Sequence, residues 1–310
     1  MRVVIVHNSR AGENQYDRDS LVRLIRRAGH EAAYFSLKDA AWKGAVDGLA
    51  ELVAAAGGDG TVEEVARAVA GRHLPIAVLP LGTANNISRA LGQANVPFED
   101  LVAGWADAWR QPFDIGLARG PWGTFRFLEG VGAGLLADSM AEIKEGRADY
   151  IRQTKDADGR MAAALGVFHR RLGSMAAMRF NVSLDGRDHS GEYLLLEVLN
   201  FGAAGPNLRL APHAEPSDGL LDVVLVDEHH RRDLADHLSL SRMNSERTPA
   251  LPVYQGCHIT LSCGNCNLHL DDKVWRGQQS WAEPIVIDLV VEPQALTFLM
   301  PRASVRPNAR

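Results

Sequence analysis

Short apolar runs alternate with amphipathic stretches over the first third of the chain. Residues 3–6, 31–35, 52–56 and 74–79 each read as a strand, because an apolar run of four to six residues bounded by turn signals suits a buried strand. Leu21, Leu24 and Ile25 recur at helical spacing between them. Residues 62–70, and then Ile87, Ala90 and Leu91, do the same. Strand then helix, repeated, predicts a parallel sheet covered by helices. Near residue 118 the pattern changes. Residues 179–184, 193–199, 221–226, 259–263 and 285–291 are alternating or continuous apolar runs and predict a β-rich second part. A helical stretch over 138–172 interrupts it, through Met140, Ile143, Ala148 and Ile151 and then Met161, Leu165 and Phe168. It reads as one helical insertion, or as two helices broken at Ala157-Asp158-Gly159. The sequence has no internal repeat and no low-complexity tract.

The turns carry the candidate chemistry. Gly57-Gly58-Asp59-Gly60-Thr61 follows the strand at 52–56 and opens the helix at 62–70. Glycines there permit positive φ and close backbone approach, so that amide N–H groups and the positive end of a helix can face a phosphate oxygen. Thr61 with Glu64 reads as a capping box that starts the helix. Two glycines alone make an ordinary turn. Three glycines, an acid and a hydroxyl in five residues favour a nucleotide site. Pro80-Leu81-Gly82-Thr83-Ala84-Asn85-Asn86 repeats the design one strand later. Asn8-Ser9-Arg10-Ala11-Gly12 follows the first strand, and Ser36 ends the second. Turns on neighbouring parallel strands converge on one crevice at their carboxyl ends.

These residues, in this order, resemble the catalytic domain of diacylglycerol kinases and the related bacterial lipid kinases. The resemblance continues through Asn200-Phe201-Gly202, the block from Ala211-Pro212-His213-Ala214 to Asp218-Gly219-Leu220-Leu221-Asp222, Leu270-Asp271-Asp272 and Pro293-Gln294-Ala295-Leu296, and so spans nearly the whole chain. NAD kinases and phosphofructokinases share the glycine motif. The proline, alanine and Asp-Gly-Leu-Leu-Asp block separates the lipid-kinase branch from them. The fold implied is α/β plus all-β: a phosphofructokinase/NAD-kinase-like nucleotide-binding domain over 1–118, then a β-sandwich-like lipid-substrate domain over 119–292. The final segment, 293–310, returns to the first domain.

The activity implied is ATP-dependent phosphorylation of a lipid hydroxyl, diacylglycerol-like or related, as a transferase of phospholipid metabolism with ATP and Mg²⁺ as cofactors. By the resemblance, Asn8, Ser36, Gly57, Gly58, Asp59, Gly60, Thr61, Val62, Glu63, Thr83 and Asn85 hold the nucleotide. Asp59 also serves catalysis through Mg²⁺ or its water shell. A separate structural Mg²⁺ falls to Asp218 with the backbone carbonyls of Glu215 and Leu220. The chain departs from the family in two places. Asn85-Asn86 stands where Asn-Asp is usual, and Asp272-Lys273 where the family has glycine and then a proton-accepting glutamate. Lys273 therefore aligns with the family acid, and the acid's task passes to Asp271 or Asp272, with Asp271 the better placed. Two other readings stay open: a weakened nucleotide- or lipid-binding regulator on a kinase scaffold, and a kinase for a soluble metabolite.

Composition narrows the partners. At 310 residues, two domains are the natural division. A hydrophobic content of 46% with 23% charged residues describes a globular chain. A net charge of -5 argues against nucleic acid, whose phosphates are bound through excess Lys and Arg. The apolar opening at 3–6 is too short for a signal-peptide core, and no run approaches the ~20 apolar residues of a membrane helix. The expectation is a cytoplasmic protein that meets its lipid at a membrane surface. Arg170-Arg171 and His229-His230-Arg231-Arg232 are the best basic patches for that contact, and a homodimer is left open.

Cys257, Cys263 and Cys266 with His258 and His269 raise a zinc site. Gly264-Asn265 argues against it as a two-residue hairpin turn, which would pair Cys263 with Cys266, Leu261 with Leu268 and Ile259 with Leu270 on one apolar face. Both cysteines then read as core residues. Asp271 would project to the opposite, polar face near His258 and Thr260.

Overall fold

The computed structural model describes residues 1–11, 16–48, 50–146, 151, 154, 156–243, 250–277 and 284–302. Gly12 of the first turn and Ala148 of the helical stretch lie outside them. The chain forms two compact units, Met1–Phe113 with the segment from Gln294 onward, and Asp114–Pro293.

In the first unit β1 (Arg2–His7), β2 (Glu31–Ser36), β3 (Leu52–Gly57) and β4 (Ile76–Pro80) form a parallel sheet in the order β2-β1-β3-β4. Helices α1 (Arg18–Arg27), α2 (Ala41–Asp47), α3 (Asp59–Val69), α4 (Asn86–Ala90) and α5 (Phe98–Ala103) accompany it. The register pairs His7 with both Ser36 and Ala56, and Gly57 with Pro80, so the four strands end level. One apolar cluster includes Val3, Ile5, Leu52, Ala54 and Leu79 from the strands with Leu21, Ile25 and Leu101 from the helices.

The capping box is not formed. Helix α3 begins at Asp59 with Gly58 as its extended N-cap, and the Gly58 carbonyl accepts the N–H groups of Thr61 and Val62. Thr61 is inside the first turn and 2% exposed. A glycine N-cap starts the helix earlier than a threonine signal suggests, because it needs no side-chain partner.

The second unit contains β5 (Trp109–Gly120, entered from the first unit), β6 (Gly123–Phe127), β7 (Gly130–Gly134), α6 (Leu135–Lys144), α7 (Ala157–Leu172), β8 (Met178–Leu184), β9 (Arg187–Asp188), β10 (Gly191–Tyr193) and β11 (Leu195–Leu199). There follow β12 (Ala203–Ala204), β13 (Leu208–Arg209), β14 (Leu221–Val226), α8 (Arg231–Arg242), β15 (Val253–Gly256), β16 (His258–Cys263), β17 (Leu268–Leu270), β18 (Lys273–Trp275) and β19 (Ile285–Met300). The end of β19 belongs to the first unit, where Phe298 pairs in parallel with Ile76. Two sheets of the second unit, β10-β8-β16-β19 and β15-β14-β11-β7-β17-β18, share a sandwich core. The outer side of the second sheet, Leu195, Leu199, Val224 and Val226, clusters with Leu135, Leu165, Phe168, Leu234 and Leu238 of α6, α7 and α8.

Three local expectations are corrected. Ala157-Asp158-Gly159 is no break: Asp156 caps α7 by accepting the Gly159 N–H at 2.6 Å, so these residues are its first turn. The run at 193–199 is two strands in two sheets, divided at Leu194. Residues 263–266 are not a hairpin. β16 pairs with β8 and β19, whereas β17 pairs with β7 and β18, so the chain crosses from one sheet of the sandwich to the other. The six predicted core side chains do share one core, facing each other across it. Cys263 and Cys266 are buried there and joined by a disulfide.

Candidate active site

Each unit gathers its polar residues at one edge of a sheet. In the first unit the edge is the level carboxyl end of the four parallel strands. Asn8 follows β1, and its side-chain oxygen accepts the Arg10 N–H at 3.2 Å. Ser36 closes β2, its carbonyl accepting the Asp39 N–H at 2.9 Å.

The two glycine turns meet here. The Leu81 N–H donates to the Gly57 carbonyl at 2.9 Å. A Cβ on Gly58 would lie 3.0 Å from the Gly82 Cα, and one on Gly82 only 2.4 Å from the Gly58 Cα. A Cβ on Gly57 would strike the Thr61 side chain, 2.2 Å from its hydroxyl. Positive φ is not the reason for these glycines, since none of Gly57, Gly58, Gly60 and Gly82 adopts it. Close backbone approach is. The left-handed residue is Asn85, at φ 50°, whose amide folds back on Gly82, accepting its N–H at 2.8 Å and donating to its carbonyl at 2.9 Å.

Asp59 ties the turns together. Its carboxylate accepts the Ile87 N–H at 3.0 Å, across 28 residues, and so caps α4. Burial pushes this carboxyl above its ordinary value, with the amides of Ile87 and Asn86 opposing the shift. Of the other predicted residues, Gly60 is exposed and Thr83 half-buried. Val62 and Glu63 are buried in α3, with Glu63 paired to Arg67 at 3.0 Å. Asn86 is also buried. Sequence reasoning missed His7, 1% exposed, whose Nδ1 lies 3.0 Å from the Tyr34 hydroxyl and whose imidazole burial pushes down.

In the second unit the edge lies where β14 starts, β11 ends, β7 starts and β17 ends. Asp222, Asn200, Glu129 and Asp271 stand there in a row, and all are buried. Asp271 is not on a strand projecting to a polar face. It sits at φ 50° in the two-residue turn between β17 and β18, away from His258 and Thr260, which belong to the other sheet. Its carboxylate turns inward and accepts the N–H groups of Leu128, Glu129 and Gly130 at 3.0, 2.9 and 3.3 Å. The Asn200 amide clamps the same segment from the carbonyl side, donating to Leu128 at 3.1 Å and to Asp114 at 2.9 Å. Asp272 offers its carbonyl to the Lys144 ammonium. Lys273 is exposed, its ammonium 5.0 Å from the centre of the Phe125 ring.

Behind Asp271 lies a buried pair. His269 Nε2 is 2.6 Å from Glu197 Oε2, and its Nδ1 is 3.1 Å from the Asp271 carbonyl. Burial alone pulls the imidazole down, but the Glu197 carboxylate together with Asp271 outweighs it and holds the group above its ordinary value; burial pushes the Glu197 carboxyl up. The signal for Glu197 was present in the sequence as a lone acid inside the apolar strand Leu195–Leu199.

The Asp-Gly-Leu-Leu-Asp block supplies hard oxygen donors. Asp218 is exposed and accepts the Leu220 N–H at 2.9 Å, while the Glu215 carbonyl accepts the N–H groups of Ser217 and Asp218. Asp114, missed in the sequence, accepts the Gly219 N–H at 2.8 Å. Burial, with the Asp218 charge adding to it, raises Asp222 to about 6. Among the described residues no three metal-ligating side chains form an ion site by themselves, so a cation at this block would lean on backbone carbonyls.

Part of each basic patch pairs within the chain, while His229 and Arg232 are exposed. Arg170 pairs with Glu142 at 2.5 Å and Arg171 with Asp138 at 3.0 Å. Arg231 pairs with Glu228 at 2.5 Å, and His230 with Asp227 at 2.7 Å. Among the described residues no helix is long and apolar enough to cross a membrane.

Residues 2–118 match the diacylglycerol kinase catalytic domain, and residues 145–300 match the YegS C-terminal NAD kinase beta sandwich-like domain. A Pseudomonas aeruginosa protein (strain UCBPP-PA14) named "Probable lipid kinase YegS-like" is 32% identical over 235 residues, which are 72% of this chain and 71% of that one. A Mycobacterium tuberculosis diacylglycerol kinase is 24% identical over 292 residues, 91% of this chain and 85% of the other. Among solved structures, a diacylglycerol kinase from Bacillus anthracis strain Sterne superposes with a TM-score of 0.70 at 20% identity, covering 98% of both chains. At that identity the likeness speaks for the fold.

Proposed function

The chain belongs to the family of diacylglycerol kinases and YegS-like lipid kinases, and from that premise we propose that it transfers the γ-phosphoryl group of ATP to the hydroxyl of a diacylglycerol-like lipid. The observation that carries the reading is the contact between Gly58 and Gly82. Two strand-to-helix turns whose backbones touch leave no room for a Cβ, and the first of them opens α3, the kind of helix N-terminus at which phosphate oxygens bind.

Phosphoryl transfer asks the protein chiefly to position phosphates and stabilise their charge. Gly57, Gly58, Gly60 and Thr83 would hold the phosphates, with Asn8 and Ser36 lining the same edge. Asn85 keeps the second turn in shape through Gly82. Mg²⁺, when bound, would neutralise phosphate charge, and Asp59 offers it a carboxylate already raised by burial, which a cation would return to its ionised form. The block of Glu215, Asp218 and Leu220 suits a structural Mg²⁺ by the chemistry of its oxygens.

Asp271 is assigned as the acceptor of the lipid hydroxyl proton. Three amides orient its carboxylate, and such a group is oriented first and basic second. That suffices for a loose transition state, in which the nucleophile needs little activation. Lys273 is exposed over Phe125 and does not replace the family's acid.

Purified protein incubated with labelled ATP, Mg²⁺ and a panel of lipid and soluble acceptors tests the reading. Label in a lipid phosphate, lost in Asp271→Asn, supports it. Label in a soluble acceptor alone would overturn the lipid assignment, and nucleotide binding without transfer to any acceptor would favour a regulator.

A further inference from the structure

The sheet that carries Asp271 holds an ionisable pair no phosphoryl-transfer step uses. Glu197 lies on β11 and His269 on β17, and the strand between them is β7. Both pair in register with Gly132, so the two side chains join across an intervening strand, roughly 9.6 Å apart at the backbone by ordinary strand spacing. The missing side chain at Gly132 makes this feasible, because a Cβ there would lie 2.1 Å from Glu197 Oε2. The side chains of Glu197 and His269 are 0% and 1% exposed. Glu197 Oε1 is buried without a hydrogen-bond partner among the described residues.

Stability does not account for the arrangement. Two ionisable groups removed from water recover at best about what their desolvation costs, and apolar residues of similar volume serve as well or better. An orphaned oxygen adds a further penalty. The geometry gives the pair another use. His269 Nε2 points at Glu197 and Nδ1 at the Asp271 carbonyl, so an imidazole protonated on both nitrogens donates in both directions at once. Asp271 occupies the left-handed region, which a non-glycine residue enters at a cost and leaves unless held. Its amide donates to the Gly130 carbonyl at 2.8 Å, and its carboxylate accepts from 128–130. The His269 contact closes the third side of that turn.

We propose that the His269–Glu197 pair is a positioning device for the lipid-hydroxyl site: Glu197 fixes the imidazole of His269, which locks the backbone of Asp271 so that its carboxylate stays on the amides of 128–130. This rests on the reading of Asp271 as the proton acceptor. His269 and Glu197 are positioning residues and touch no reactant.

The test uses the full chain and the variant Glu197→Leu with His269→Leu, which removes both charges together and leaves neither buried alone. Its melting temperature stays near that of the parent. Hydrogen exchange at the amides of Leu128, Glu129 and Gly130 speeds at least about tenfold, while β8 and β16 keep their protection. Turnover of the lipid acceptor falls by at least about tenfold with the KM for ATP unchanged, since a small misplacement of a catalytic group costs on that scale. Glu197→Gln, which keeps an oxygen acceptor for His269, restores most of both. Unchanged exchange at 128–130 in the double variant overturns the proposal, and so does parental turnover. If the double variant fails to fold, nitrogen NMR of His269 in the parent chain decides: a proton on Nδ1 upholds the clamp, and a bare Nδ1 overturns it. Exchange and NMR read the clamp directly, so a parent that phosphorylates no acceptor defeats the kinase reading and leaves these two results standing.

Discussion

The carboxyl edge of the first unit and the acidic edge of the second are built by opposite means. Around Gly57, Gly58 and Gly82 side chains are removed until backbone touches backbone. The carboxylate there, Asp59, accepts the Ile87 N–H of the neighbouring turn and so ties the two turns together. Around Asp271 the shaping group is a side chain: a buried carboxylate gathers three consecutive amides and folds a segment around itself. The first edge is shaped by the absence of side chains and the second by the presence of one, so the two break under opposite kinds of substitution.

The contrast breaks most sharply at Gly82. Gly82→Val puts a branched side chain where even a Cβ lies 2.4 Å from Gly58 Cα, so the turns must part. Calorimetry should find nucleotide binding lost, while Asp218→Ala binds nucleotide normally; normal affinity in Gly82→Val would make the turn merely structural. Asp271→Asn comes next. It keeps the shape but weakens the grip on 128–130 and removes the proton acceptor, with an expected loss of about 10² to 10⁴-fold in kcat. Full activity in that variant would remove Asp271 from the chemistry.

Asp59→Ala should lose activity and also stability. The carboxylate caps α4, so about 1 kcal/mol goes with it. Thermal melts of Asp59→Ala and Asp59→Asn separate the two effects, because the asparagine still offers one oxygen to Ile87 and should recover stability without recovering turnover. Asp218→Ala should act on stability alone and leave nucleotide binding untouched. If a cation binds at its block, Mg²⁺ at 100 times its dissociation constant stabilises the parent by ~2.7 kcal/mol and the variant not at all. Equal melting responses to Mg²⁺ would clear the block of that role.

The smallest effect is one of pH. His269 keeps its proton to a higher pH in the native chain than in the unfolded one, because the Glu197 carboxylate and Asp271 together outweigh burial. The contribution of His269 is therefore whole below the ordinary imidazole value of 6.5 and drains away as the pH rises through the raised native value. The raised Glu197 carboxyl acts in the same direction. Melting temperature between pH 6 and 9 should fall more steeply for the parent than for the double leucine variant; parallel curves would refute the assignment of charge.

Much of this was legible in the sequence. Apolar runs located β1 to β4 because buried parallel strands are continuous in hydrophobicity, and the glycines marked the turns because few other residues allow such approach. What escaped depended on partners distant in the chain. The period-two pattern at 259–270 fits a hairpin and a crossing between facing sheets equally well, since both put Leu261 and Leu268 in one core. Thr61 followed the local rule for a cap, and Gly58 pre-empted it three residues earlier. The inward turn of Asp271 hangs on amides more than 140 residues away, which no local pattern records.

The capping of α4 by Asp59 has a consequence for how the first unit assembles. Five residues are too few for a helix to persist alone, because the first turn costs more conformational freedom than its hydrogen bonds return. Its leading amide is satisfied by a carboxylate that is delivered only once β3 and α3 are in place. The second turn is thus contingent on the first, and the two glycine loops should order together in a single cooperative step rather than one by one.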